Sequence, residues 1–306
     1  MMPIDAAWSV LKAVAGQPTF PVTHHSHPTR GLDAMEGFKP RSIAGLPTPL
    51  NYYGGKGWLV PQLRELYEPF RDTHSFHDVF GGSGAAIMGV NPKRGSWNDT
   101  SSPLVNFQRH LKRGLTIPNF GPNTKDNYKQ LKDRYNHLQM TDPHSVEAAQ
   151  LYFALNRRGH SGLMEHNKQG RLMSSGGHGN PNLERAFDLT SYKRPMHRWK
   201  IDNRDFRDVM RGLGRNSFGY IDPPYPKRQG QYGQGGFGDE LQTAVRDAAL
   251  AHPGPVVVSN YATPEMLELY QDDFDIETKT PRQGMLGANK RITQQIPEMI
   301  ARRIDE

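Results

Sequence analysis

Residues 218–225 read Phe-Gly-Tyr-Ile-Asp-Pro-Pro-Tyr, a strand-like run that stops in an acid, two prolines and a tyrosine. Each proline lacks an N–H and stiffens the chain, so the carbonyls ahead of Pro223 and Pro224 point outward without ladder partners. Those carbonyls and the Asp222 carboxylate form an acceptor cluster suited to an exocyclic amine, with the flat face of Tyr225 beside it. A planar base carrying an amino group fits such a site through hydrogen bonds and stacking. The bland alternative is a Pro-rich loop with a tyrosine packed on it. A second group, Asp78-Val-Phe80-Gly-Gly82-Ser-Gly84, joins a strand-like stretch to a helical one. A glycine turn there lets the backbone approach a ligand closely. Asp99 follows Gly84 by 15 residues, at the end of the next strand-like stretch, where an acid can accept from ribose hydroxyls. By themselves these residues indicate a ribose-containing cofactor or an ordinary tight turn.

The elements that must position these groups alternate. A Gly turn at 51–56 leads into a helix-like 58–67, then a strand at 76–80, a helix at 85–90, a strand at 94–98 and a helix at 103–111. Strands at 200–203, 218–221 and 255–259 and helices at 240–251 and 264–271 continue the pattern, and 292–304 reads as a strand followed by a terminal helix. Between the two halves lie helices at 125–140 and 145–156, then 157–182, rich in Gly, His, Ser and Asn, as an exposed hairpin or loop. The order predicts one α/β domain with an insertion. Its parts are a poorly structured extension at 1–40, a discontinuous domain of 41–110 with 191–306, and an inserted unit at 111–190.

The insertion carries the charge. Residues 107–200 hold 16 Lys and Arg against 7 Asp and Glu, whereas the rest of the chain holds 22 against 24. All of the formal net charge of +7 therefore comes from one middle segment. A polyanion-binding insert in a near-neutral body and a solvated helical surface both produce that pattern. The 306 residues contain no cysteine, which excludes disulfide scaffolds, Cys-ligated zinc and thiol nucleophiles. No apolar run approaches a membrane span, and Asp5 and Lys12 interrupt the one apolar N-terminal stretch, so a cytoplasmic protein is expected.

Taken together, these motifs resemble those of the Dam-like (D12 class, α group) adenine-N6 DNA methyltransferases, over residues 48–304. Tyr53-Gly54-Gly55-Lys56 resembles the family's N-terminal cofactor motif, and 78–84 its Asp-x-Phe-x-Gly-x-Gly loop. Asn98-Asp99 resembles the ribose-binding acid, Asp205-Phe206 the element that meets the cofactor adenine, and 222–225 the catalytic tetrapeptide. The resemblance implies a Rossmann-like class I sheet with a mainly helical target-recognition insertion carrying a hairpin. It further implies S-adenosylmethionine as cofactor, double-stranded DNA as partner, no metal, and action as a monomer. Asp222, Pro223, Pro224 and Tyr225 become the catalytic residues; Tyr53, Gly54, Lys56, Asp78, Phe80, Gly82, Gly84, Asp99, Asp205, Phe206 and Asp222 become cofactor-binding.

In the insertion, Asn156-Arg157-Arg158-Gly159 and Gly162-Leu163 resemble the family's target-recognition signature, with Arg171 at the matching distance. Asn156, Arg157, Arg158, His160, Ser161, Leu163, Glu165 and Arg171 are thereby implied to meet DNA. Members that read GATC carry an aromatic and an amide where this chain has His160 and Ser161, and a guanine-reading arginine where it has Glu165. Glutamate cannot donate to guanine but can accept from cytosine. Three other readings stand beside this one: an amine of RNA or protein as acceptor, a DNA-binding homologue without turnover, and a nicotinamide-dependent dehydrogenase.

Overall fold

The computed structural model describes residues 45–52, 55–162, 164–167, 170–177, 188–225, 237–280 and 297–304. The expectation for 1–40 lies outside them, as do Tyr53, Gly54 and Leu163. The first half runs α1 (Val60–Tyr67), β1 (Ser75–Asp78), α2 (Ala85–Val90), β2 (Gly95–Asn98) and α3 (Ser102–Arg113). The inserted helices are α4 (Lys125–Thr141) and α5 (Val146–Arg158). The second half runs α6 (Lys193–Met196), β3 (Trp199–Asp202), α7 (Phe206–Arg211), β4 (Ser217–Ile221), α8 (Asp239–Ala251), β5 (Val256–Tyr261), α9 (Pro264–Tyr270), β6 (Asp275–Lys279) and β7 (Glu298–Arg303).

The seven strands form one sheet in the order β3-β2-β1-β4-β5-β7-β6. β7 alone runs antiparallel, wedged between β5 and β6. This mostly parallel sheet is the class I methyltransferase arrangement that the resemblance implies. Strand periodicity sorts the core onto its two faces. Phe76, Trp97, Phe218, Tyr220, Val257 and Ile300 pack with residues of α1, α2, α3 and α5, among them Leu63, Ile87, Phe107 and Phe153. Their alternates Val79, Ile221, Val256, Val258, Met299 and Ala301 pack with α7, α8 and α9 through Val209, Val245 and Met266.

The inserted helices begin where side-chain caps end the coil: Thr124 Oγ1 accepts from Asn127 N at 3.3 Å, and Ser145 Oγ from Ala148 N at 3.2 Å. Both helices share the first core rather than building one of their own. The Phe107 ring of α3 stacks on Phe153 of α5 at 5.9 Å with an interplanar angle of 2°, so the insertion is packed firmly onto the sheet's flanking layer.

One expectation is corrected, and one strand was not expected. No terminal helix follows the last strand within the described residues: 298–303 is itself β7, and Ile304 follows it outside any element. Its buried Met299, Ile300 and Ala301 face both layers while β5 and β6 complete its ladder. β6, Asp-Ile-Glu-Thr-Lys, went unread because an edge strand needs few apolar residues.

His77, in the middle of β1, lies between two hydroxyls, with Nε2 2.7 Å from Ser75 Oγ and Nδ1 2.7 Å from Ser96 Oγ. Burial, with His252 and Lys200 nearby, lowers its pKa from 6.5 to about 4. Between those values the unfolded chain binds the proton and the folded one does not. Stability therefore falls as pH drops from the unfolded pKa toward the folded one, by at most about 3 kcal/mol from this group. Thermal melts at pH ~7 and ~4.5 test it: His77→Gln should shrink the loss between the two, and an equal loss in both proteins would refute the assignment.

Candidate active site

β2 and β3 extend from one side of the β1–β4 pair and β5, β7 and β6 from the other. The connections from β1 and β4 thus leave in opposite directions and open a crevice at the strands' carboxyl ends, where open α/β sheets bind ligands. Asp78 ends β1, Asn98 ends β2 with Asp99 after it, and Asp222 follows β4. The topology brings these groups together from three strands.

The first wall is the glycine loop. Gly81 N donates to Asn98 O at 2.7 Å, and a Cβ there would stand 2.1 Å from Trp97 Nε1, so only glycine lets the loop close on β2. Gly84 turns back with φ +79°, its N–H bonded to Gly81 O at 2.7 Å, and opens α2. Gly82 N donates to Asp99 Oδ2 at 3.1 Å while Ser101 N donates to Oδ1 at 2.8 Å. Burial raises the Asp99 carboxyl and these backbone donors oppose it. Asp78 is buried, with Ile87 N donating to its Oδ2 at 3.3 Å. Burial pushes its pKa up to about 8; the Ile87 N–H opposes this and the Asp222 and Asp99 carboxylates add to it.

An aromatic corner adjoins the loop. Phe80 lies 5.3 Å from Phe206 and 5.7 Å from Phe237, ring centre to ring centre. Asp205 caps α7, accepting from Arg207 N at 2.9 Å, and holds the Arg207 guanidinium at 2.8 and 3.0 Å. Its carboxylate is thus already engaged within its own turn. Asn98 braces this corner by donating to Val79 O and Arg204 O, each at 3.0 Å, and accepting from Arg204 N at 2.9 Å.

The second wall is the tetrapeptide. Ser259 Oγ donates to Asp222 Oδ1 at 2.8 Å and lies 3.0 Å from Tyr220 Oη. Lys56 is 5% exposed, with Nζ 3.4 Å from Asp222 Oδ1, 3.7 Å from Glu298 Oε2 and 4.4 Å from the centre of the Tyr225 ring. Tyr225 Oη donates to Glu298 Oε2 at 2.9 Å, and its ring packs on Tyr261 at 4.3 Å. Pro224 O accepts from Gln242 Nε2 at 2.9 Å, and Gln242 is held in turn by Asn260. Burial raises both the Asp222 and Glu298 carboxyls; the ammonium between them is the main opposing influence. One lysine thus faces two partly dehydrated acids.

Glu298, Gln242, Tyr261 and Phe237 were not singled out in the sequence. Glu298 had one local signal, an acid immediately before the apolar run Met299-Ile300-Ala301.

The insertion's hairpin is real but irregular. Gly159 pairs with Gly176 and His166 with Leu172 in antiparallel bridges. The register differs by three residues between the bridges, and the 3₁₀ turn His160–Gly162 takes up the difference. Asn136 of α4 clamps the outer arm through Leu172 N at 2.7 Å and Leu172 O at 3.3 Å. His160, Glu165, Arg171, Met173 and Ser175 are exposed on the hairpin.

The other implied DNA residues are turned inward. Asn156 is 1% exposed; it accepts from Asn51 N at 2.9 Å and donates to Asn51 O and Gly162 O at 2.8 and 2.9 Å. Arg157 Nη1 donates to Asn51 Oδ1 at 2.5 Å. Arg158, 5% exposed, reaches Asn127 Oδ1 at 2.5 Å and Gly121 O at 3.0 Å. Asn156 and Arg157 join the hairpin's base to Asn51, while Arg158 ties it to the start of α4 and the coil before it. Ser161 falls in the 3₁₀ turn, and its side chain lies outside the description.

Comparison with known proteins places this geometry in context. The profile for D12 class N6 adenine-specific DNA methyltransferases matches residues 52–285. The modification methylase StsI of Streptococcus sanguinis is 24% identical over 217 residues, 65% of this chain and 32% of that protein, so the chain spans about a third of that relative. The DNA adenine methylase of Salmonella typhi is 24% identical over 241 residues, 72% of this chain and 83% of that protein, and so is that of Salmonella typhimurium. The matched span contains the glycine loop, Asp99, the insertion and the Asp-Pro-Pro-Tyr turn, and the chain belongs to the D12 class N6 adenine-specific DNA methyltransferase family.

Proposed function

We propose that this protein transfers a methyl group from S-adenosylmethionine to N6 of an adenine flipped out of a short sequence in double-stranded DNA. The observation that carries the reading is the Asp222 carboxylate at the carboxyl end of β4, fixed by Ser259 and Lys56 beside the Tyr225 ring. The crevice fits the cofactor: Gly82 and Gly84 take positive φ in the loop after β1, which leaves its backbone open to a ligand, and Asp99 is held in place by backbone donors. Asp78, Gly82 and Gly84 would hold its methionine end, Asp99 its ribose, and Phe80, Asp205 and Phe206 its adenine, with Tyr53 and Gly54 assigned to the cofactor by the family motif alone. That cofactor supplies an already activated sulfonium methyl, so alignment carries much of the catalysis.

The adenine amine is a poor nucleophile because its lone pair is delocalised into the ring. Asp222 and the Pro223 carbonyl accept its two N–H bonds and bring the nitrogen toward sp³, exposing the lone pair. Pro224 is held by Gln242, which keeps the turn rigid. Tyr225 stacks on the flipped base and offsets part of the unstacking cost of a few kcal/mol. After transfer, N6 sheds a proton toward Asp222. Residues 111–190 act as the target-recognition unit, with Asn156, Arg157 and Arg158 shaping the hairpin and His160, Glu165 and Arg171 facing the duplex. Ser161, in the turn beside His160, and Leu163 complete the set of residues assigned to DNA. Glu165 can accept from cytosine N4 and cannot donate to guanine, so a GATC-like target is left for the mapped methylation sites to decide.

Methylation of plasmid DNA by purified protein with labelled S-adenosylmethionine, followed by mapping of N6-methyladenine, tests the assignment. Methylated adenines confined to one short motif are expected. Cofactor binding without DNA methylation would redirect the reading to amines of RNA or protein.

Glu298 makes a finer prediction. The Asp222 charge raises the Glu298 carboxyl, and Glu298's own charge competes with Asp222 for Lys56. Glu298→Gln removes that charge while keeping an acceptor for Tyr225, so the acid limb of the kcat–pH profile should move to lower pH. Glu298→Ala should also cost on the order of tenfold in kcat as Tyr225 loses its anchor. An unmoved acid limb in Glu298→Gln would contradict the coupling.

A further inference from the structure

The rim of the sheet opposite the crevice, at the amino ends of β2 and β3, carries a band of cations that methyl transfer does not use. Lys93 and Arg94 precede β2, and Lys193, Arg194, His197 and Arg198 precede β3; all are exposed, as is Lys200 on β3. The end of α3 adds Arg113, exposed, and Lys112, whose Nζ donates to Trp199 O at 2.5 Å. The strand register sets Gly95 beside Trp199 and Ser96 beside Lys200, so Arg94 and Arg198 stand at the ends of neighbouring strands, about 5 Å apart. Like charges placed side by side on a sheet are unfavourable unless something anionic compensates.

Little within the protein does so. Among the described residues the one ion pair these cations make is Lys93 with Asp72, at 2.5 Å and largely in water. Arg94 and Arg198 are held by neutral oxygens instead, Thr73 O at 3.4 Å and Asn91 Oδ1 at 3.3 Å, which orients them without neutralising them. The carboxyl rim has the opposite character, with Asp78, Asp99, Asp202, Asp205 and Asp222 gathered there. Complementing the negative end of the α3 dipole accounts for Lys112 and Arg113 but not for the residues ahead of β2 and β3.

We propose that this rim is a second polyanion site that binds the phosphate backbone of a DNA segment other than the one in the catalytic crevice. The proposal rests on the reading of the protein as a DNA methyltransferase. A duplex seated at the carboxyl ends lies about 15 Å of strand away, and bending the same short duplex around the sheet within one turn is costly. The rim therefore takes a second duplex or a distant part of one long molecule. It lets the enzyme hold DNA while the crevice releases one site and samples another.

The triple variant R94E/R198E/K200E tests this, since all three side chains are exposed and outside the crevice. On a duplex of ~16 bp with one target site, methylation by the variant should equal that of the starting protein. On a duplex of ~100 bp the unaltered protein should show a steeper salt dependence than on the short one, by about 2 to 3 in the slope of log K against log salt. The variant should lose that excess. Two differently labelled short duplexes should be brought together by the unaltered protein and not by the variant. Equal slopes and equal bridging in the two proteins would overturn the proposal. So would a parallel loss of short-duplex methylation, which would put the rim inside the catalytic footprint. If the unaltered protein methylates no DNA, the functional reading fails, while duplex bridging still reports on the rim.

Discussion

Asp222→Ala is expected to lower methyl transfer to adenine by at least about 10³-fold, because it removes the charged acceptor that exposes the N6 lone pair. The rest of the site should survive. Ser259 keeps Tyr220 as a partner, and Lys56 keeps Glu298. The glycine loop and Asp99, which do not depend on Asp222 for any hydrogen bond described above, should still bind the cofactor with little change. Asp222→Asn should be nearly as damaging: its amide must turn an N–H or a weaker neutral acceptor toward the substrate amine. Single-turnover methylation of a short duplex, run beside equilibrium cofactor binding and a thermal melt, separates these quantities. Ordinary turnover in either variant would sink the catalytic assignment; lost cofactor binding would mean that Asp222 serves the cofactor site first.

The second large effect is structural and reverses an expectation raised by residue type. Arg158 in a basic insertion invites a phosphate contact, yet it is buried and spans to Asn127 Oδ1 and Gly121 O. Arg158→Ala removes a buried side chain and the space it filled, and takes the donor from Asn127 Oδ1 and Gly121 O, which lie nearer the surface. A stability loss of about 1–3 kcal/mol is expected, with faster hydrogen exchange in 159–177 before the rest of the chain. The salt slope of DNA binding, corrected for the folded fraction, should stay nearly constant. Lysine should rescue poorly, since one ammonium cannot reproduce the guanidinium's divergent donors. A fully stable Arg158→Ala with a shallower salt slope would return the residue to the DNA interface.

Local chemistry made much of the fold legible. The helix expected at 85–90 is the helix found, because Gly84 before it and Asn91 after it both take left-handed backbone. The strands ending in Asp78, Asn98 and Ile221 could be read because buried parallel strands are short, apolar and terminated by turn residues. The glycine loop, Asp99 and the Asp-Pro-Pro-Tyr turn were likewise visible, since each is a contiguous run whose chemistry depends on its neighbours in sequence.

What only the tertiary structure decided is the company that distant residues keep. Glu298 lies 73 residues from the tyrosine it holds, and Asn156 lies 105 residues from the backbone it ties down. No periodicity encodes such pairs, because a polar side chain is buried only when a partner from elsewhere meets it. The same logic corrected the chain's end. Apolar residues at 299–301 suit a helix or a strand equally well in isolation, and the open ladder between β5 and β6 makes them a strand. Sequence determined which chemical groups this protein has and which local turns present them; packing determined which face the substrate, which face one another, and which hold the backbone in place.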